Sequence, residues 1–270
     1  VPLKAMLDAG KYFLHKQDRS TGIADSEIIK IAVKSMGLDE LYPFDPQKKI
    51  IEYILEDNSK KKLVDMTVAA FTNETASESP APGGGSISAA MGAFGAALGT
   101  MVANLSAHKP GWDDKWLEFS NWADKGKAYM DQLVKLVDED TNAFNKIMDA
   151  FGLPKGTDEE KAARKKAIQD ATLYAIEVPY KVMELCFQSM EVMKAMAQFG
   201  NPNSVSDAGV GALAARSGVL GAFLNVKINA SGLDDKAKAA EFVEKGQLIA
   251  NQAVELEKEI LAIVEEKIKA

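Results

Sequence analysis

The stretch Ser79–Ala107 runs for roughly 29 residues without a formal charge, and no other segment limits the fold as strongly. It opens on Ser79-Pro80-Ala81-Pro82-Gly83-Gly84-Gly85-Ser86, where two prolines and three glycines stop one element before a helix of Ala, Gly and Ser begins. That length exceeds the ~20 residues needed to span a bilayer, and Gly95-x-x-x-Gly99 is a spacing used by associating membrane helices. Yet the residues are only weakly hydrophobic, and basic and aromatic flanking anchors are mostly missing. The reading is therefore a helix buried at the centre of a bundle, with no membrane partner. Its glycine-rich entrance has two readings, an ordinary helix start or a cradle in which bare backbone N–H groups meet an anion or carbonyl.

The rest of the chain supports helices. It is rich in Ala, Lys, Glu and Met, with 7% aromatic residues and few prolines, so helical stretches are long. A net charge of −7 without a basic block argues against nucleic acid. The single cysteine, Cys186, excludes an internal disulfide and fits a reducing cytoplasm. Val1 in place of Met predicts a piece of a longer chain.

Residues 1–57 read as a separate appendage that docks on the following domain or on one outside this sequence. It comprises two helical stretches (Pro2–Gln17, Ser26–Met36), a proline loop and a short strand over Lys49–Leu55. Residues 58–62 read as a linker, and 63–270 as the helical domain. Helices are expected over Leu63–Ala76, Ser86–Ala107 and Trp112–Phe151. Another opens at the capping-box spacing Thr157-x-x-Glu160 and is kinked or broken at Pro179 before resuming to Phe199. Two more cover Ala208–Ala230 and Asp234–Lys269. Five or six long helices with short loops make an all-α, up-and-down bundle with a short N-terminal helical appendage.

Two places put polar groups where the pattern wants apolar ones. Leu133, Val137, Phe144, Ile147 and Phe151 form a helical stripe, and Asp140 falls on it while Asp138 and Glu139 point away. A carboxylate there is either paired structurally or raised in pKa for acid–base work. Downstream, Gly218, Gly221, Asn225 and Asn229 share a face, so the amides either bond between helices or read a ligand. Asp207 is likewise an N-terminal charge or a site residue. His15 and His108 do not make a zinc site, Gly83–Gly85 is not a P-loop, and Ser86 and Ser88 lack a nucleophile elbow. No metal site is expected.

At Ser79–Ala107 the sequence resembles the formiminotetrahydrofolate cyclodeaminase/methenyltetrahydrofolate cyclohydrolase family, through Ser-x-x-Pro-Gly-Gly-Gly-Ser and the Ala/Gly helix ending Met101-Val102-Ala103-Asn104-Leu105. The likeness continues through Asp138–Phe144, Leu153-Pro154-Lys155, Gly200–Asn203, Ser206-Asp207 and Asn225–Asn229. Residues 1–57 resemble the tail of a glutamate formiminotransferase domain, too short for transferase activity. The resemblance implies a homodimer or higher homo-oligomer that converts 5-formiminotetrahydrofolate to 5,10-methenyltetrahydrofolate and ammonia, in histidine degradation and one-carbon metabolism. It implies no cofactor beyond the folate substrate, polyglutamylated forms included. Asp140 would be the acid, with Asp138 the fallback. Gly83, Gly84, Gly85, Ser86, Asn201, Asp207, Asn225 and Asn229 would line the folate pocket, and Lys109 would meet glutamate carboxylates. His108 stands where the family pattern has glycine, which changes the loop that aims Lys109. Two other readings remain, methenyltetrahydrofolate cyclohydrolase and a non-catalytic folate-binding or oligomerisation module.

Overall fold

The computed structural model describes residues 1–56 and 62–269, and these are 81% helical with no strand among them. Most of the expected linker, 58–62, lies outside the described residues. Ten α-helices follow in order among the described residues: α1 (Leu3–His15), α2 (Asp25–Ser35), α3 (Pro46–Lys49), α4 (Ile51–Leu55), α5 (Val68–Thr75), α6 (Gly84–Ala107), α7 (Trp116–Phe151), α8 (Asp158–Phe199), α9 (Val205–Ser231) and α10 (Lys236–Lys269). The last five are the long helices of the bundle.

Helix α6 is central. It packs against α7, α8 and α9, and α10 closes over α8 and α9. Small residues set these distances. A Cβ added to Gly95 would lie 2.7 Å from the Gly211 carbonyl oxygen, and one added to Gly218 would lie 2.9 Å from the Ser88 carbonyl oxygen. So α6 and α9, which run antiparallel, touch backbone to backbone. Gly92 and Gly218 together make room for the buried thiol of Cys186. Helices α6 and α9 are both long and apolar enough to cross a membrane, but 61% and 50% of their apolar windows are buried in the bundle. Methionines 183, 190, 193 and 196 fill the core as expected. Arg216 on α9 forks onto the buried Glu257 of α10 with two 3.0 Å bonds, so this interior carboxylate is paired.

Several expected boundaries shift. The strand expected over Lys49–Leu55 is absent; those residues lie in α3, α4 and the joint between them. Asp45 accepts a bond from the Gln47 N–H and Pro46 starts the turn, so local capping starts a helix where no neighbouring edge offers strand pairing. Ile50 then enters a small core with Met6, Ile29, Ala32 and Val33. The helix expected over Leu63–Ala76 is a 3-10 turn at Leu63–Asp65 followed by α5, because Thr67 caps the Ala70 N–H and restarts the chain. Phe144 and Phe151, expected on the buried stripe, are substantially exposed. Helix α8 begins at the expected Thr157–Glu160 capping box and runs through Pro179 without a break.

The N-terminal piece is docked on the bundle. Thr21 donates its hydroxyl to Asp124 at 2.5 Å and its N–H to Ser120, while Asn104 reaches the Gly22 carbonyl at 2.8 Å. The Ser20 N–H donates to His108 Nε2 at 3.2 Å. Burial and nearby Arg19 hold the His108 pKa below its ordinary value, keeping the ring a neutral acceptor. His108 is thus occupied in seating this strap.

Because Gly92 has no space for a side chain beside Cys186 and Leu133, Gly92→Val should destabilise the fold by about 3 kcal/mol. Urea unfolding followed by circular dichroism measures this.

Candidate functional site

Helix α6 starts at Gly84 because Pro80 and Pro82 end the preceding chain and Gly83 is extended. Its first N–H groups have no helical acceptor. One is taken by a side chain: the Ser86 N–H donates to Asp140 Oδ2 of α7 at 2.9 Å. The buried Ser86 hydroxyl lies 3.2 Å from the same oxygen and 2.8 Å from the Val137 carbonyl. Gly85 is what permits this approach, since a Cβ there would overlap the Asp140 carboxyl group. Burial raises the Asp140 pKa above 3.8, and the two Ser86 hydrogen bonds offset this only in part. The carboxyl group therefore sits at a positive helix end while keeping a proton more readily than a free aspartate.

Asp140 opens onto a 210 Å³ cavity. Gly83 and Gly84 form its floor with Pro80 and Ala81, Phe144 and Ile147 form an apolar wall, and Asn225 and Asn229 come in from α9. Each amide is anchored: Asn225 Nδ2 donates to the Gly221 carbonyl at 3.0 Å, and Asn229 Nδ2 donates to the Ala175 carbonyl of α8 at 2.7 Å. Of the two readings of the Asn pair, interhelical bonding is what Asn229 does. Both amides face the cavity.

The remaining expected site residues do not join this group within one chain. Lys109 follows the far end of α6, about 36 Å away at 1.5 Å per residue, with its ammonium over the Trp112 ring at 4.4 Å. Asn201 caps its own turn by accepting from the Asn203 N–H at 3.2 Å, and its N–H donates to Ser106 at 2.8 Å. Asp207 lies in the first turn of α9, about 27 Å from Asn225 along the helix. Gly83, Gly84, Gly85, Ser86, Asp140, Asn225 and Asn229 thus cluster at one end, and Lys109, Asn201 and Asp207 at the other.

Asp138, the fallback acid, accepts the Leu63 N–H at 2.6 Å and anchors the chain entering the bundle. It does not line the cavity. Pro80 and Ala81, from the glycine-rich entrance, and Thr141, next to Asp140, also line it; Ala175 of α8 lines it too, and nothing in the sequence pattern pointed to it.

The sign of the Asp140 shift yields a stability test. A carboxyl pKa raised on folding stabilises fully below 3.8, and that contribution is lost as pH rises through the raised native value. Asp140→Asn removes the buried charge while retaining an acceptor for Ser86. Its melting temperature should equal or exceed the wild type at pH 7, and the advantage should vanish below about pH 4. Thermal melts across pH check this.

The family profile described as Formiminotransferase-cyclodeaminase matches residues 67–247, and that of the Formiminotransferase domain matches 1–56. The formimidoyltransferase-cyclodeaminase of Rattus norvegicus is 38% identical over 236 residues, covering 87% of this chain but 43% of the rat protein. The chain thus spans less than half the length of that relative. The methenyltetrahydrofolate cyclohydrolase of Methylorubrum extorquens is 38% identical over 202 residues, covering 75% of this chain and 97% of that protein. The crystal structure of formiminotetrahydrofolate cyclodeaminase from Thermotoga maritima superposes with a TM-score of 0.64 at 25% identity, covering 75% of this chain and 98% of that one. With the profile spanning well over half its residues, this chain belongs to the formiminotransferase-cyclodeaminase family.

Proposed function

We propose that this chain is a formimidoyltetrahydrofolate cyclodeaminase, an ammonia lyase that closes 5-formiminotetrahydrofolate to 5,10-methenyltetrahydrofolate. The observation that carries the reading is the Asp140 carboxyl group, held by Ser86 at the mouth of α6 and raised in pKa beside an otherwise uncharged cavity. In this reaction N10 of the folate attacks the formimino carbon, and the tetrahedral centre then expels its amine. Starting from the protonated formimino group (=NH2+), the net change moves one proton from N10 to the leaving nitrogen and yields the methenyl cation and ammonia. One carboxylate within reach of both can accept that proton and return it, so Asp140 ends each turnover as it began. Thr141 and Phe144 shape the cavity around it, and no cofactor beyond the folate is required.

A cavity of 210 Å³ holds the reacting centre and not a whole folate, so the remainder extends outward. The uncharged outer face of α6 and α9 supports a second copy of the chain as partner. Phe94 is 62% exposed, Leu224 62% and Ile228 69%, with Met101, Leu105, Val210 and Leu213 continuing the patch. Packed antiparallel on a two-fold axis, this face would set Lys109, Asn201 and Asp207 of one copy near the Asp140 cavity of the other. That arrangement would reunite the two clusters around one folate, with Lys109 toward the glutamate tail. The free thiol of Cys186 suits a reducing, cytoplasmic setting.

Cyclohydrolase activity is the second reading, favoured by the likeness to the Methylorubrum extorquens enzyme. The transferase-like residues 1–56 favour the cyclodeaminase, because a fused transferase would supply the formimino substrate.

Given 5-formiminotetrahydrofolate, the protein should generate methenyl absorbance and ammonia. Asp140→Asn should lower kcat by about 100-fold or more while retaining folate binding. Hydrolysis of the methenyl compound without ammonia release from the formimino compound would select the cyclohydrolase. Phe94→Glu should shift a dimer to monomer in sedimentation and lose turnover with it.

A further inference from the structure

Pro179 lies buried in the interior of α8, a 42-residue helix. A helical residue normally donates its N–H to the carbonyl four residues earlier, and proline has none to give. The carbonyl left open is that of Ala175. It is the one that Asn229 Nδ2 reaches from α9 at 2.7 Å. A carbonyl only accepts, so this bond fixes which end of the Asn229 amide carries oxygen. The Asn225 amide is fixed the same way by the Gly221 carbonyl. Both Ser86 bonds to Asp140 fall on Oδ2. Among the described residues, no hydrogen bond is made to Asp140 Oδ1, Asn225 Oδ1 or Asn229 Oδ1. All three residues line the one cavity, and no lysine or arginine lines it with them.

Side-chain oxygens without a cationic neighbour recognise a ligand that donates hydrogen bonds, above all one with positive charge. Resting on the cyclodeaminase reading, we propose that Pro179 and Asn229 form one positioning unit. The proline opens a carbonyl, the amide closes it, and the oriented amide oxygen, with those of Asn225 and Asp140, selects the N–H-bearing formimino group over its carbonyl isostere. A formyl group has the same shape but turns an acceptor oxygen toward these oxygens. Pro179 touches no substrate and acts through Asn229.

The test compares 5-formiminotetrahydrofolate with 5-formyltetrahydrofolate in the wild type, Pro179→Ala, Asn229→Ala and the double variant. In the wild type, KM for the formimino compound should lie about tenfold or more below Ki for the formyl compound. Pro179→Ala restores an N–H for Ala175 and frees the Asn229 amide. Its melting temperature should match or exceed the wild type, while the formimino preference falls toward unity and kcat/KM drops about tenfold. The double variant should behave as Asn229→Ala alone. An unchanged preference in Pro179→Ala, or losses that multiply in the double variant, overturns the proposal. Should Pro179→Ala fail to fold, Asn229→Ala reads the preference by itself, and retention of the wild-type ratio there overturns it equally. If the wild type turns over no formimino compound, the cyclodeaminase reading fails. Direct binding of the two folates by calorimetry then still decides the selectivity.

Discussion

Everything at the site depends on how closely α6 and α9 approach. Gly95 against Gly211, and Gly218 against Ser88, let two backbones meet where ordinary side chains would hold them apart. Close contact of this kind replaces large hydrophobic side chains by dense packing of short ones. It also has a positional effect. With the two helices in register at their centres, the first turn of α6 arrives beside Asn225, and a Cβ on Gly84 would sit 3.3 Å from the Asn225 amide nitrogen. A wider spacing would leave the same residues in place along the sequence but no cavity between them.

The electrostatics of the cavity follow from that closeness. A helix start offers N–H groups, and Ser86 passes one of them to Asp140. Desolvation and hydrogen bonding then pull the carboxyl group in opposite directions, with desolvation prevailing. The result differs from an anion-binding helix end that simply welcomes negative charge. Here the helix end steadies a carboxyl group that can also hold a proton. The glycine-rich entrance is a helix start that also lines a cavity, and its serine directly holds the Asp140 carboxyl group.

Much of this was legible in the residues. The charge-free helix, its burial, the five long helices and the capping box at Thr157 all follow from local pattern, and Asp140 stood out because it interrupts an apolar stripe. What was not legible depended on partners distant in the chain. Lys49–Leu55 looked strand-like by residue type, yet capping at Asp45 and the small core around Ile50 decided otherwise. Pro179 carried the expectation of a kink, and nothing near it in sequence announced the amide of Asn229 that completes the helix from outside. Lys109, Asn201 and Asp207 belong to the same set of family motifs as the cavity residues, and motif order says nothing about which end of a helix each occupies.

Cys186 lies where Gly92 and Gly218 both lack side chains, so its sulfur takes up the volume that two missing Cβ atoms would have filled. It is fully enclosed, burial pushes its thiol pKa well up, and the chain contains no other cysteine. Only a thiolate exposed to solvent reacts readily with an alkylating reagent. Alkylation at this one atom therefore requires α6, α8 and α9 to part. The molecule carries, at the centre of its bundle, a single-atom clock for its own opening.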